Sequence, residues 1–458
     1  MLVSVITLFG GFLSVTSEIA EASRILTVKR FSAPDPRIII IENGPFREQY
    51  RLFIMSAEKV TVSIIKADVG SVVGHARPHP SMLDAARNVL KDAQKAGTIE
   101  DFYVTRVGDD INLYMTHYKG ENNSDVHGAA WECFQQATKI AKKMKLYAAG
   151  QDILTDAFSG NVKGAGPGSA EMTFEERGSE PLLFFMADKT EPSAYTLPLT
   201  RIFMDPFTTT GLVIDKRAKQ GFDFEIQDVM ANKKVVMSAP EESWSILSLL
   251  GDTSRYAIKR INSRSGIGPA AVVSTDKLNM TAGRYVGKDD PVCICRCQSG
   301  LPSVGEYTQP FLNNTMLVAG WMRGSHIGAF YPCSPEDSDP TYYDGPPRIC
   351  CLGFQLNDGK LQGLEPYGAK NGEHIPVDFF GTSTFDEARR NAIRASKFMR
   401  SQGPFVPSIL GAEEMEYTSR PDVLKELTNR FVSLDEDKPK KKAAAKKAPA
   451  KKKKVEVE

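Results

Sequence analysis

Two apolar runs that each stop on an aspartate constrain this chain most: VTVSIIKAD at 60–68 and PLLFFMAD at 181–188. Their β-branched, aliphatic and aromatic residues read as buried strands closed by a polar break. Buried strands need cover, and helix-period patterns supply it. Residues 80–96 put Met82, Ala85, Val89, Leu90 and Ala93 on one face, and 124–146 carry Trp131, Phe134 and Ile140. Further helices are predicted at 241–250, 385–401 and 420–431. DFYVTRV (101–107) and INLYMTHY (111–118) form a hairpin across Gly108-Asp109-Asp110. A second hairpin spans 222–229 and 234–239, and RYAIKRI, AAVVST and VCICRCQ add strands. Strand pairs mixed with helices predict an α/β or α+β fold, with a mixed sheet covered by helices. No repeat or linker divides the body, so one compact domain is expected.

The chain has 458 residues and a net charge of +1. That balance hides an asymmetry. From Lys438 onward there are ten lysines against two glutamates, a surplus of eight positive charges that leaves −7 on the rest. KPKKKAAAKKAPAKKKK (438–454) cannot bury a core and is expected to be disordered, with non-specific affinity for polyanions. No basic groove or nucleic-acid module accompanies it. LVSVITLFGGFLSV (2–15) has the length of a signal-peptide core but lacks a basic leader, and it is short for a membrane span. Residues 1–54 are expected to be a leader or extraneous to the fold, and no membrane contact is expected.

Seven cysteines in a chain of this length do not describe a disulfide scaffold. CICRC (293–297) alternates with strand period and puts three thiols on one face. A metal or redox site is one reading. A buried strand using cysteine as a small hydrophobe is preferred, because no histidine or fourth cysteine stands at zinc-like spacing.

The acidic residues at strand ends suggest chemistry. Asp68 and Asp188 close the two apolar runs, Asp109-Asp110 sits at the hairpin turn, and Asp289-Asp290 precedes VCICRC. Each alone is more often a solvated turn or a cap. Converged, they would repel one another unless a cation offsets the cost, and hard divalent ions such as magnesium take oxygen ligands and serve phosphate-ester cleavage. GNVKGAGPG (160–168) offers backbone amides to an anion, although it matches no nucleotide-binding pattern and also reads as a plain loop. YVGKDDP (285–291) joins a phenol, an amine and two carboxylates; bracketed by glycine and proline, it reads equally as a charged surface turn. His75, in GHARPHP, is by itself a turn or cap residue.

Longer stretches carry a family resemblance. IKADVGSVVGH, VGDDINLYMTH, LYAAGQDILTDAFSGNVKGAGPG, FMADKTEPSAY, DPFTTTGLVID, SAPEE, YVGKDDP, GWMRGSH, DGPPR, GPFVP and EMEYT occur in order between Met55 and about Phe431. In these the chain resembles the archaeal-type bifunctional fructose-1,6-bisphosphate aldolase/phosphatases. The resemblance implies a four-layer α-β-β-α sandwich, a catalytic domain over 55–434 and a tail from 435. It also implies a cytoplasmic homo-octamer and a magnesium-dependent, one-way gluconeogenic enzyme. Such an enzyme condenses dihydroxyacetone phosphate with glyceraldehyde 3-phosphate, then hydrolyses the 1-phosphate of fructose 1,6-bisphosphate to give fructose 6-phosphate.

By the same resemblance, Lys288 is the Schiff-base lysine and Tyr285 the proton-moving tyrosine. Asp68, His75, Asp109, Asp110, Gln151, Asp188, Asp289 and Asp290 match metal positions. His75, Tyr147, Gly160, Asn161, Lys189, Gln298, Arg323, Asp344 and Tyr417 match sugar- and phosphate-binding positions. The stretch EPYGAKNGEHIPVDF (365–379) departs from the pattern as an insertion, as do the two ends. A phosphatase without aldolase activity, with Lys288 as a phosphate ligand, is the rival reading; a polyanion binder acting through the tail is another.

Overall fold

The computed structural model describes residues 58–153, 166–253, 255–274, 276–278, 289–312, 317–318, 328–340, 345–368, 373–401 and 420–431, with four strand fragments before residue 55. Its main strands are β1 (Lys59–Asp68), β2 (Asp101–Val107), β3 (Asp110–His117), β4 (Gly168–Glu175), β5 (Glu180–Asp188), β6 (Phe222–Asp228), β7 (Lys233–Ala239), β8 (Tyr256–Ser263), β9 (Gly268–Val273), β10 (Val292–Arg296) and β11 (Arg348–Asn357). Its main helices are α1 (Pro80–Lys95), α2 (Ser124–Lys143), α3 (Thr196–Met204), α4 (Ser243–Leu250) and α5 (Asp386–Ser401).

The strands form two sheets. The first runs Asp276–Lys277, β4, β1, β3, β2, and the second β7, β6, β8, β9, β10, β5, β11 and then Tyr331–Pro332. Every pairing named here is antiparallel except that of Tyr331–Pro332 with β11, so the second sheet is mixed only at that edge. Period-two alternation sends each strand's side chains to two different cores. Ile65 and Ala67 of β1 meet Met82, Ala86 and Leu90 of α1 and Phe134 of α2. Val60, Val62 and Ile64 of β1 instead face Leu182, Phe184 and Met186 of β5 and Val292 and Ile294 of β10. Leu183 and Phe185 on the far side of β5 pack with Leu199 and Phe203 of α3 and Ile246 of α4. The result is the expected α-β-β-α stack. Each fully buried Leu, Ile or Phe contributes about 1.5–3 kcal/mol to holding the layers together.

Local chemistry explains the element boundaries. α1 begins where the His79 side chain accepts the Ser81 N–H, with Pro80 in the first turn. Ala86, rather than Ala85, takes the centre of its buried face. The first hairpin is tighter than its sequence suggests. Val107 pairs with Asp110, so Gly108 and Asp109 alone form the turn and Asp110 begins β3. Cys293, Cys295 and Cys297 all face the outer core, and among the described residues no cysteine joins a group able to hold a metal ion.

Candidate active site

The apolar layer between the sheets turns ionic at one end. The row Val60, Val62, Ile64 continues on the same face of β1 with Lys66 and Asp68. Asp68 pairs with Asp110 at the start of β3. From the second sheet, the row Leu182, Phe184, Met186 continues to Asp188, and Asp290 precedes Val292 by two residues. Four carboxylates thus arrive from four strand ends, and the hairpin turn adds a fifth, Asp109. All five are buried.

Two clusters share Asp109. Ligand atoms of Asp68, His75 and Asp109 lie within 4.8 Å of one another, as do those of Asp109, Asp110 and Asp188. His75 Nδ1 lies 2.7 Å from Asp109 Oδ2 and 3.6 Å from Asp68 Oδ2. The hydrogen bond to Asp109, and then the Asp68 carboxylate beside it, push the His75 pKa up to about 10 against the effect of burial. Lys189 Nζ donates to Asp109 Oδ1 at 2.8 Å and to Asp188 Oδ1 at 2.9 Å. Burial favours a neutral Asp109, but Lys189 and His75 outweigh it and hold this carboxyl well below the usual range. Its neighbours go the other way. Burial, then the Asp109 charge, pushes Asp68 up to about 8. Burial raises Asp188 well above the ordinary carboxylate range despite Lys189, and it raises Asp290 to about 6 despite Lys66.

The donor set fits divalent cations. Among the described residues Asp188 Oδ2 is buried with no hydrogen-bond partner, and burial raises the pKa of Asp68, Asp188 and Asp290 together, a cost that a bound cation would offset. Oxygen-rich groups with one imidazole suit hard or borderline ions. The cradle depends on Gly108, which has φ +54° and sits so close to Asp188 that a Cβ there would lie 2.1 Å from Oδ2.

Other expected residues fall in different places. The exposed Tyr147 ring meets the His75 ring edge-on, with centroids 4.8 Å apart, and its backbone pairs with Ser71. Gln151 opens a short helical turn and is half-buried. Asp289 is half-buried beside Asp290. Gln298 is not brought to the cluster within this chain. It follows the other end of β10 from Asp290, where its carbonyl accepts the Arg177 guanidinium. Tyr285, Lys288, Gly160, Asn161, Arg323, Asp344 and Tyr417 lie outside the described residues.

Two buried residues of the site escape sequence reasoning. Asp152 accepts the Asp68 N–H at 2.9 Å and the Gly166 N–H at 3.2 Å, tying the end of β1 to the end of the glycine-rich stretch. Lys66 bonds the Asp110 carboxylate and, at 2.8 Å, the Asp290 carbonyl. Its signal was a lysine inside an apolar strand, two residues before Asp68 and so on the same face.

A family profile described as Fructose-1,6-bisphosphatase matches residues 59–432. Three similar proteins are each named fructose-1,6-bisphosphate aldolase/phosphatase. That of Ignicoccus hospitalis is 53% identical over 375 residues, covering 82% of this chain and 93% of its own. That of Moorella thermoacetica is 52% identical over 378 residues, covering 82% and 96%. That of Methanothermobacter marburgensis is 50% identical over 377 residues, covering 82% and 100%. With half of the aligned residues shared across nearly the full length of these relatives, the chain belongs to the fructose-1,6-bisphosphatase family that they represent.

Proposed function

We infer that this protein is a bifunctional gluconeogenic enzyme, a fructose-bisphosphate aldolase and fructose-1,6-bisphosphatase in one site. The observation that carries this reading is the paired cluster sharing Asp109, with Asp290 of the YVGKDDP stretch built into its wall. A cluster of this kind suits phosphate-ester hydrolysis. The stretch that supplies Asp289 and Asp290 also carries, one to five residues away, the amine and phenol that a carbonyl condensation needs.

In the condensation, the neutral Lys288 amine attacks the ketone carbon of dihydroxyacetone phosphate. Water leaves as the imine forms. Tyr285 removes a proton from the adjacent carbon to give the enamine, which attacks the aldehyde carbon of glyceraldehyde 3-phosphate, and the phenol returns a proton to the new alkoxide. Hydrolysis of the imine frees fructose 1,6-bisphosphate. In the second reaction water displaces the 1-phosphate. Asp68, His75, Asp109, Asp110, Gln151, Asp188, Asp289 and Asp290 would hold magnesium, which supplies Lewis acidity toward the phosphoryl group. Lys189 provides a fixed ammonium at the same place. Tyr147, Gly160, Asn161, Arg323, Asp344 and Tyr417 take the sugar and phosphate contacts that the family resemblance gives them; Gln298, which its own chain does not bring to the cluster, would do so only across a subunit boundary of the octamer. The catalytic domain spans 55–434, and the working form is a cytoplasmic homo-octamer. Among the described residues no helix is long and apolar enough to cross a membrane.

The buried carboxylates would serve hydrolysis without Lys288, which keeps a phosphatase-only reading in play. Lys288→Ala separates the two. Wild type should form fructose 6-phosphate from the two triose phosphates with magnesium; Lys288→Ala should not, while it still hydrolyses fructose 1,6-bisphosphate. If wild type only hydrolyses the bisphosphate, the condensation is wrong.

A further inference from the structure

Lys66 is fully buried in β1 and joins the two sheets at the site, as Lys189 does through Asp109 and Asp188. The Lys66 ammonium bonds the carboxylate of Asp110, in the first sheet's metal-binding group, and the backbone carbonyl of Asp290, at the edge of the second sheet. The Asp290 backbone is held on its other sides as well. Its N–H donates to the Thr190 carbonyl at 3.0 Å, and its carboxylate accepts the Thr190 N–H at 2.6 Å. Asp290 has φ +50°, a left-handed conformation that a non-glycine residue keeps only when its surroundings enforce it. Lys189, across from it, has φ +62°. Lys66 thus helps to hold a strained residue at the point where the chain leaves β10 toward Lys288 and Tyr285.

We propose that Lys66 is a positioning residue that transmits cation occupancy at Asp110 to the backbone at Asp290, and so to the stretch that carries Tyr285 and Lys288. The Asp110 carboxylate cannot be shared fully between Lys66 and a divalent ion. Drawing Asp110 toward an ion weakens its bond to the ammonium and sets two positive charges against each other across the carboxylate. The ammonium's hold on the Asp290 carbonyl must then change. A purely apolar residue of the same length would fill the space and transmit nothing. The proposal rests on the two-reaction reading only where it concerns the balance of activities.

The test is amide hydrogen exchange at Asp290 and Val292 in the full chain, with and without saturating magnesium chloride, in wild type, Lys66→Met and Lys66→Arg. In wild type, magnesium should change the exchange rate at these amides at least threefold. Lys66→Met should exchange at least tenfold faster without magnesium and lose the response to it, whereas Lys66→Arg should keep the response. An unchanged response in Lys66→Met, or none in wild type, overturns the proposal. If Lys66→Met does not fold, Lys66→Arg decides, and loss of its response is the overturning result. In activity, Lys66→Met should lower fructose 6-phosphate formation from triose phosphates at least fivefold more than hydrolysis of fructose 1,6-bisphosphate; equal losses mark a merely structural lysine. Should wild type make no fructose 6-phosphate from triose phosphates, the two-reaction reading falls, and the exchange data still settle the role of Lys66.

Discussion

Gly108 and Asp188 touch so closely that any side chain at 108 would occupy the space of the Asp188 carboxylate: a Cβ there would lie 2.1 Å from Oδ2 and 2.3 Å from Cγ. Gly108→Ala therefore combines two faults. The left-handed backbone alone costs about 1–2 kcal/mol, and Asp188 must also leave its place between Lys189 and the cation site. Thermal unfolding should show the loss of stability. Magnesium titration of fructose 1,6-bisphosphate hydrolysis should show half-maximal activity shifted to at least tenfold higher magnesium. An unaltered magnesium requirement would mean that Asp188 does not hold the ion.

Magnesium should stabilise the protein more at pH 8 than at pH 5. Without a cation, Asp68 and Asp290 have folded pKa values of about 8 and about 6, above the 3.8 of a free aspartate. A carboxyl raised on folding adds stability below its unfolded pKa, and that contribution is lost as pH rises through the folded value. Between pH 4 and 8 the metal-free site therefore becomes progressively destabilising, and a cation relieves it. Melting temperatures with magnesium and with chelator at the two pH values measure this, and an equal increment at both would contradict it.

Glu180 and Arg296 form an ion pair with both side chains fully buried, at 2.8 Å and 3.0 Å. Arg296 also donates to the carbonyls of Ile267 and Pro269 and lies 4.1 Å over the Phe174 ring. Removing one member leaves the other charged and buried, so Glu180→Ala should cost about 3–5 kcal/mol. Denaturant unfolding measures it. Burial would raise the Glu180 pKa, yet Arg296 and Arg177 bring it below 4.5, so the pair's contribution holds above pH 4.5 and fades as pH falls through the lower folded value.

The segment around Glu365 and His374 is latched to the first sheet by His374, which reaches Asp101 at 3.0 Å and Glu365 at 2.9 Å. Burial disfavours its charge, but bonds to the two carboxylates raise its pKa above 6.5. The latch is complete below that value and is lost as pH rises through the folded pKa. His374→Gln should lower the melting temperature at pH 6 by several degrees and by less at pH 9. The same loss at both pH values would show that charge plays no part.

Much of this architecture was legible because its causes are local. Strand period, helix caps and turn residues act within a few positions, so β1, β5 and α1 could be read from VTVSIIKAD, PLLFFMAD and HPSMLDAARNVL almost to the residue. The two-residue turn was misjudged by one position because pairing of Val107 with Asp110, not turn composition, decides where β3 begins. His75 and His79 illustrate the limit. His75 reads as a turn or cap residue, yet it turns to Asp109, and the helix cap is His79.

By itself the sequence determined the strand ends on which the aspartates sit, the family and the presence of an amine next to the acidic pair. Only the tertiary structure decided that Asp68, Asp109 and Asp110 of one sheet would meet Asp188 and Asp290 of the other, with Lys66 and Lys189 between them. The physical reason is that face-to-face stacking of two sheets is set by apolar packing between residues more than a hundred positions apart, such as Ile64 and Phe184. No local pattern encodes which carboxylate that packing will bring opposite which ammonium.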